Sequence, residues 1–403
     1  MKTAVLVCDG MGDYPVEQLG GKTPLEAAKT PFMDQLGREG KVGLARTIPA
    51  GYVPASDVGN MAILGYDPGQ YYSGRAPLEA ANMRVKLGDG DVAFRCNLVT
   101  VDGDTLVDYS AGHIRSEEAS TLIRAVGKKL GSSTLEFYPG IQYRHLAVFR
   151  DGALTEELIK TTCQPPHDIM GWKISEHWPK GPTSKRLIEL MEVSREILSA
   201  HEVNQVRIDL KENPGNMIWL WGQGKRLSVP TLKERFGVTG SVISAVDLVK
   251  GAGLLAGLEV INVPGATGYY DTNYQGKAAA ALKTLKKHNF VFVHVEAADE
   301  AGHNGDLRQK ITAIENFDKY IVGGIVNELK KQGGKFRVLI IPDHMTSVEK
   351  RTHVADPVPF IIYGEGIPAS GVASFGESQA KATGWLEEQA FEILPRLLTE
   401  TSF

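Results

Sequence analysis

Four uninterrupted apolar runs punctuate the chain: AVLVC at 4–8, FVFV at 290–293, VLII at 338–341 and VPFII at 358–362. Each is four to five residues long, rich in β-branched or aromatic side chains, and has glycine, proline or an acidic residue within the next three positions. That pattern predicts strands buried on both faces, as in a parallel sheet covered by helices. Between them the apolar period lengthens to that of a helix. GKAAAALKTLKKH (276–288) and a long stretch from Leu307 to Gln332 are predicted helices, and VISAVDLVKGAGLLAG (242–257) reads as helix leading to a strand LEVINV. Near the start, a helix is predicted over Pro24 to Glu39, with Thr23 as N-cap, Pro24 at its first position and Glu26 completing a capping box.

From about Arg75 the texture changes to mixed α+β. VAFRCNLVTVDGDTLVDYS reads as a hairpin with Asp102-Gly103 near its turn, followed by a helix, SEEASTLIRAVGKKLG, and strands around LEFYPG and YRHLAVF. The loop Gln164 to Lys173 leads to a helix near Ser184 to His201, and NMIWLWGQG is a further strand. After about Val229 the α/β alternation resumes. The expected architecture is therefore one α/β core with a central, mostly parallel sheet, formed by residues 1–74 and 229–403. An α+β domain, residues 75–228, is inserted into it.

A chain of 403 residues is long enough for two cores. A net charge of −4 argues against nucleic acid or an anionic membrane as the main partner, and leaves an anionic small substrate open. Cys8, Cys96 and Cys163 include no closely spaced pair, so reduced thiols are expected. The start has neither the apolar length of a signal peptide nor of a membrane span, and the cytoplasm is the default expectation.

The chemistry lies where the apolar runs stop. Asp9 follows the first, Asp299 and His303 follow FVFVHV, Asp343 and His344 follow VLIIP, and His353 lies in KRTHVADPVP. In a parallel sheet the carboxyl ends of the strands meet at one crevice. Each residue has an ordinary alternative: an Asx turn at Asp9, a helix-first-turn acid at Asp299, a surface loop histidine at His353. Taken together they have the donors for two divalent ions. Carboxylate and imidazole suit Mn²⁺ or Zn²⁺, with Co²⁺ or Mg²⁺ as alternatives. Two such ions roughly 4 Å apart stabilise attacking and leaving oxygens in phosphoryl transfer. Ser56, in PASDVGN, is placed to be a nucleophile at a helix start, its alternative being a plain cap. Neither a GxSxG nor a GxxxxGK[ST] pattern is present around it.

These motifs, with YYSGRAPLEA, GSVISAVDLVKG, VPGATGYYDTNYQGK and VHVEAADEAGH, resemble the alkaline phosphatase superfamily. More narrowly they resemble archaeal-type 2,3-bisphosphoglycerate-independent phosphoglycerate mutases, over nearly the whole chain. The resemblance implies an alkaline-phosphatase-like core, one ion held by Asp299, His303 and His353, and another by Asp9, Asp343, His344 and the Ser56 oxygen. It also implies an isomerase of glycolysis and gluconeogenesis. Such an enzyme moves the phosphoryl group of 3-phosphoglycerate onto serine and back to the 2-hydroxyl, with no bisphosphoglycerate. Rival activities on the same site are a homoserine kinase-like transfer and a metal-dependent phosphomonoester hydrolase. Substrate contacts are expected from Arg75, Arg144 and Lys173, then Asn97 and His113, because a carboxylate and a phosphate need cationic, fork-shaped donors. The inserted domain is expected to bind the substrate and act as a lid. Lys277 and Asp271 are read as structural.

Overall fold

The computed structural model describes residues 1–400. It divides into two compact units, Met1–Tyr72 with Ser228–Phe403, and Ser73–Leu227; the boundaries fall one or two residues before those expected from sequence.

The first unit is built on an eight-stranded sheet. From one edge the order is Leu386–Glu387, Lys41–Ala45, Val358–Gly364, Phe336–Ile341, Lys2–Cys8, Phe290–Val295, Gly240–Ile243 and Glu259–Val260. The central strand Lys2–Cys8 runs parallel to both neighbours, with Cys8 level with Val295 and Val7 level with Ile341. Val358–Gly364 is antiparallel to its two neighbours, so the sheet is mixed with a parallel centre. Ala4, Leu6, Cys8, Val291, Val293, Val338 and Ile340 pack with side chains of Tyr274–Lys287 and of the helical stretch 307–332 in one core. The alternate residues Val5, Val7, Phe292, Leu339 and Ile341 are equally buried on the opposite face, which explains the unbroken apolar runs.

Several elements differ from the sequence expectation. Pro24 to Glu39 is two helices, Pro24–Ala27 and Pro31–Glu39. The Thr23–Glu26 capping box is formed, but Pro31 disfavours helical backbone at Thr30 and restarts the helix. GSVI is a strand, Gly240–Ile243, and the helix begins only at Asp247. Its partner Phe290–Val295 overrides the helical period of that stretch. The stretch Leu307–Gln332 contains a π-helical turn, Phe317–Val322. Asp318, in that turn, accepts hydrogen bonds from the backbone N–H groups of Phe32 (3.2 Å) and Met33 (2.7 Å), and so caps the neighbouring helix.

The second unit is a five-stranded antiparallel sheet. Val92–Asp102 pairs with Thr105–Asp108, Arg144–Phe149 and Met217–Lys225, and Leu135–Tyr138 lies outside Arg144–Phe149. Helices Ser116–Leu130 and Ser184–Ser199 supply buried leucines and isoleucine to its core. No helix among the described residues is long and apolar enough to cross a membrane.

Removing the Asp318 cap leaves two helix N–H groups without their acceptor. Asp318→Ala is expected to lower stability by about 1–3 kcal/mol, read as a lower urea midpoint at unchanged slope. A midpoint equal to wild type would show that the cap contributes nothing.

Candidate metal centre

Three adjacent parallel strands, Phe336–Ile341, Lys2–Cys8 and Phe290–Val295, carry the candidate residues at or just beyond their carboxyl ends. Asp9 follows Cys8, and its N–H donates to the Val295 carbonyl (2.9 Å). Asp299 and His303 lie one turn apart on helix Ala297–Asn304. His353 comes from a short hairpin, Met345–Ser347 with Thr352–Val354, in which Thr346 stands opposite it. Asp9, Asp343, His344 and His294 are wholly buried, whereas Ser56, His303 and His353 are half-buried, so the cluster has a deep and an accessible end.

Close backbone approach makes this possible. Gly10 has φ +63°, and a Cβ there would lie 2.6 Å from the Asp299 Cα. A Cβ on Gly59 would lie 2.4 Å from the Asp343 carbonyl oxygen. Helix Ser56–Ile63 thereby seats on the Asp343 backbone, and the Asn60 amide donates to Asp343 Oδ2 (2.7 Å). Ser56 is the first helical residue and its side chain does not cap the helix, whereas the Asp57 carboxylate accepts from the first-turn Val58 N–H (3.0 Å). The Ser56 hydroxyl instead lies 3.1 Å from His344 Nε2. On the other side, buried Lys310 donates to the Gly12 carbonyl, the Asp13 carboxylate and the Thr346 carbonyl, tying the Asp9 loop to the hairpin.

The outer hydrogen bonds set the histidine tautomers. His303 Nδ1 lies 3.2 Å from the Arg351 carbonyl and His353 Nδ1 lies 3.1 Å from the Pro54 carbonyl. A carbonyl can only accept, so each Nδ1 carries a proton, and each Nε2 is the nitrogen that takes either a second proton or a cation. Thr346 gives its one hydroxyl proton to Asp299, so it accepts from His344 Nδ1 (3.2 Å); burial holds the His344 pKa well below its usual value, and the neutral ring leaves Nε2 bare. The Nε2 atoms of His303 and His353 face each other at 2.8 Å, 3.4 and 3.3 Å from the two oxygens of Asp299. Two lone pairs at that distance require a cation or a shared proton between them.

The charges make the same demand. Ligating atoms of Asp299, His344 and His353 lie within 4.8 Å of one another, as do those of Asp9, His294 and Asp343. The ion pairs of Asp9, Asp299 and Asp343 among the described residues are all with histidines. Burial, then the Asp343 and Asp299 charges, push the Asp9 carboxyl well above its usual range, and burial raises Asp343 too. At Asp299 burial acts upward, but hydrogen bonds from His303 and His353 prevail and hold it well below. Burial acts to lower His303, and Asp299 overcomes it, raising the imidazole to about 9. Both oxygens of Asp9 lack a hydrogen-bond partner. The donor set and these unsatisfied buried atoms fit divalent cations.

The comparisons with known proteins bear on what such a centre serves. Residues 37–204 match the family model described as 2,3-bisphosphoglycerate-independent phosphoglycerate mutase. A Geobacter sulfurreducens protein named probable 2,3-bisphosphoglycerate-independent phosphoglycerate mutase is 50% identical over 99% of this chain and 100% of its own. One of that name without the qualifier, from Methanosarcina barkeri, is 52% identical over 94% of this chain and 95% of its own. The chain belongs to this family. Among solved structures, a Pyrococcus horikoshii protein superposes with a TM-score of 0.81 at 29% identity, covering 98% of this chain and 96% of that one. The cofactor-independent phosphoglycerate mutase of Thermoplasma acidophilum gives 0.66 at 27% identity, with both chains covered completely.

In this mutase-family chain, the structure brings all seven residues named from sequence into one cluster: Asp9, Ser56, Asp299, His303, Asp343, His344 and His353. His344 belongs to the Asp299–His353 set and also reaches toward the other, 3.5 Å from Asp9 Oδ1. Sequence reasoning passed over His294, Asn60 and Thr346. His294 had a visible signal, an ionisable residue inside an otherwise apolar strand; Asn60 and Thr346 act only through contacts that no pattern displays. Lys277 is wholly buried, and its ammonium donates to the His294 carbonyl (2.9 Å). Asp271 accepts from the Thr267 hydroxyl.

The five expected substrate residues lie in the second unit. Arg75 is 3.7 Å from Glu79 and faces the Trp221 ring at 5.8 Å. Asn97 accepts from the Trp221 indole and pairs across the sheet with Arg144. Arg95, missed in the sequence, is buried between Glu79 (3.0 Å) and the Trp221 face (4.3 Å). Arg144 is exposed and stacks on Tyr143. His113, at φ +51°, and Lys173 are exposed.

A cation and a proton compete for the His303–His353 nitrogens. With His303 raised to about 9, it is charged below that pH and must lose its proton to bind metal. Mn²⁺ affinity, measured by chelator competition, is expected to rise by about tenfold per pH unit from pH 6 toward 9 and then to level. A flat profile would mean that no proton is displaced.

Proposed function

We propose that this chain interconverts 3-phosphoglycerate and 2-phosphoglycerate through a phosphoserine at Ser56, at a centre holding two divalent ions, with no bisphosphoglycerate primer. The observation that carries this reading is Ser56, at the first turn of a helix and 3.1 Å from His344 Nε2, within a chain half identical to the mutase-family relatives over its length.

Asp9, Asp343, Asp299, His303, His344 and His353 would hold the ions. Bound divalent ions supply positive charge that lowers the serine pKa and offsets the charge of the phosphoryl oxygens. The remaining work falls to the protein. His344 Nε2, bare because Thr346 engages Nδ1, lies 3.1 Å from the Ser56 hydroxyl, so that a cation held by this nitrogen would also meet the serine oxygen. Gly59 and Asn60 hold the serine helix on Asp343, which supports Ser56 Oγ as a fixed attacking atom. As the Oγ–P bond forms, the bond from phosphorus to the 3-oxygen breaks. The proton that Ser56 Oγ gives up ends on the freed 3-oxygen, so the transfer conserves protons. Return to the 2-hydroxyl reverses these changes. The N-terminus of helix Ser56–Ile63 favours the anionic phosphoryl group throughout.

In the second unit, Arg75 and Arg95 share the Glu79 carboxylate around Trp221, and the Arg144 charge acts on Arg95. This concentration of guanidinium groups suits the carboxylate or phosphate of phosphoglycerate. We assign Arg75, Asn97 and Arg144 as the leading contacts, with His113 and Lys173 secondary.

The purified protein with Mn²⁺ and 3-phosphoglycerate is expected to form 2-phosphoglycerate in an enolase-coupled assay. Ser56→Ala is expected to lose at least 10³-fold in kcat, an effect of about 4 kcal/mol or more, while retaining metal. Wild-type turnover in Ser56→Ala would remove the phosphoserine. Phosphate release outpacing isomer formation would make the enzyme a phosphatase, and ATP-dependent phosphorylation of homoserine without mutase activity would make it a kinase.

A further inference from the structure

His294 lies inside strand Phe290–Val295, where its five companions are wholly apolar and the ring itself is fully buried. Its Nδ1 is 3.3 Å from the Ser244 hydroxyl, which also accepts from the Val246 N–H (2.9 Å). Its Nε2 faces the other way, 3.0 Å from Asp9 Oδ2, yet makes no hydrogen bond. Asp9 Oδ1 and Oδ2 are likewise buried without a hydrogen-bond partner. Nε2 and oxygens of Asp9 and Asp343 all lie within 4.8 Å of one another.

Three mutually facing buried polar atoms without partners are costly unless something lies among them. A proton on Nε2 would reach the Asp9 oxygen only outside hydrogen-bonding geometry. A bare Nε2 would set a lone pair against a carboxylate. A divalent cation resolves both, because imidazole and carboxylate then aim at one positive centre.

We infer that His294, through Nε2, is a direct ligand of the deeper ion together with Asp9 and Asp343. This is a residue beyond the set that the resemblance implies, and it rests on the two-ion reading above. Ser244 is its positioning residue, holding the ring through Nδ1 so that Nε2 points inward. An imidazole in the deep set weights that position toward Mn²⁺, Co²⁺ or Zn²⁺ over Mg²⁺. It also leaves His344 between the two sets, where its Nε2 faces Ser56.

The test uses metal-stripped full-length protein titrated with Co²⁺, whose visible absorption reports ligand type and number, with bound metal counted by elemental analysis. The wild type is expected to take up two ions. His294→Asn is expected to bind one of them about 10- to 100-fold more weakly, with the absorption of that ion shifted and the other unchanged. Two ions bound at wild-type affinity with an unaltered spectrum would overturn the assignment. So would weaker binding with an unaltered spectrum, which is the signature of an outer partner. If the wild type binds fewer than two ions, the two-ion reading itself fails. Where circular dichroism shows that His294→Asn does not fold, Ser244→Ala keeps the ring and removes its anchor. A shifted Co²⁺ spectrum with several-fold weaker binding then supports the assignment, and an unchanged titration overturns it.

Discussion

Three carboxylates buried within reach of one another are the constraint on which this structure turns. Asp9, Asp299 and Asp343 are almost wholly withdrawn from solvent, and their ion pairs are with histidines. Burying one unpaired carboxylate costs several kcal/mol, and gathering three raises the cost further. Protonation is the protein's own partial answer, visible in the upward pKa shifts of Asp9 and Asp343 and in a His303 imidazole raised to about 9. Divalent cations would be the fuller one, since they offset the carboxylate charge and engage the inward-facing imidazole nitrogens at once.

The surrounding fold keeps that arrangement from relaxing. Strand register sets Asp9 beside Val295, glycines at 10 and 59 let backbone approach where a Cβ would clash, and Lys310 locks the first loop to the histidine hairpin. Outer acceptors on Arg351, Pro54 and Thr346 each hold one ring nitrogen and so present the other. Ser56 is placed against the same centre by its helix rather than by a flexible loop. As the proposed nucleophile, a serine so fixed would need little reorganisation to react, which is how a rigid α/β core can serve phosphoryl transfer.

Much of this is legible in the sequence because the placement rule is topological. An apolar run buried on both faces must be a core strand, and polar residues just past its end must reach the crevice. That logic names Asp9, Asp343 and Asp299 without any contact being known. It fails where a residue's role depends on packing. His294 lies before the end of its strand, so a rule about strand exits passes over it. GSVI reads as the start of a helix because its alternation is too short to overcome the helical period that follows; only pairing with Phe290–Val295 makes it a strand. Pro31 breaks a helix whose apolar period continues through it. Arg95 was hidden in an apolar strand, its charge accommodated by Glu79 and Trp221.

The central claim is that cations occupy the space among these buried groups. Anomalous diffraction from crystals grown with Mn²⁺ tests it directly. Two anomalous peaks are expected, one among Asp9, Asp343 and His294 and one among Asp299, His303 and His353, with His344 between them. A map with no peak at the buried carboxylates, from protein that turns over phosphoglycerate, would contradict the account.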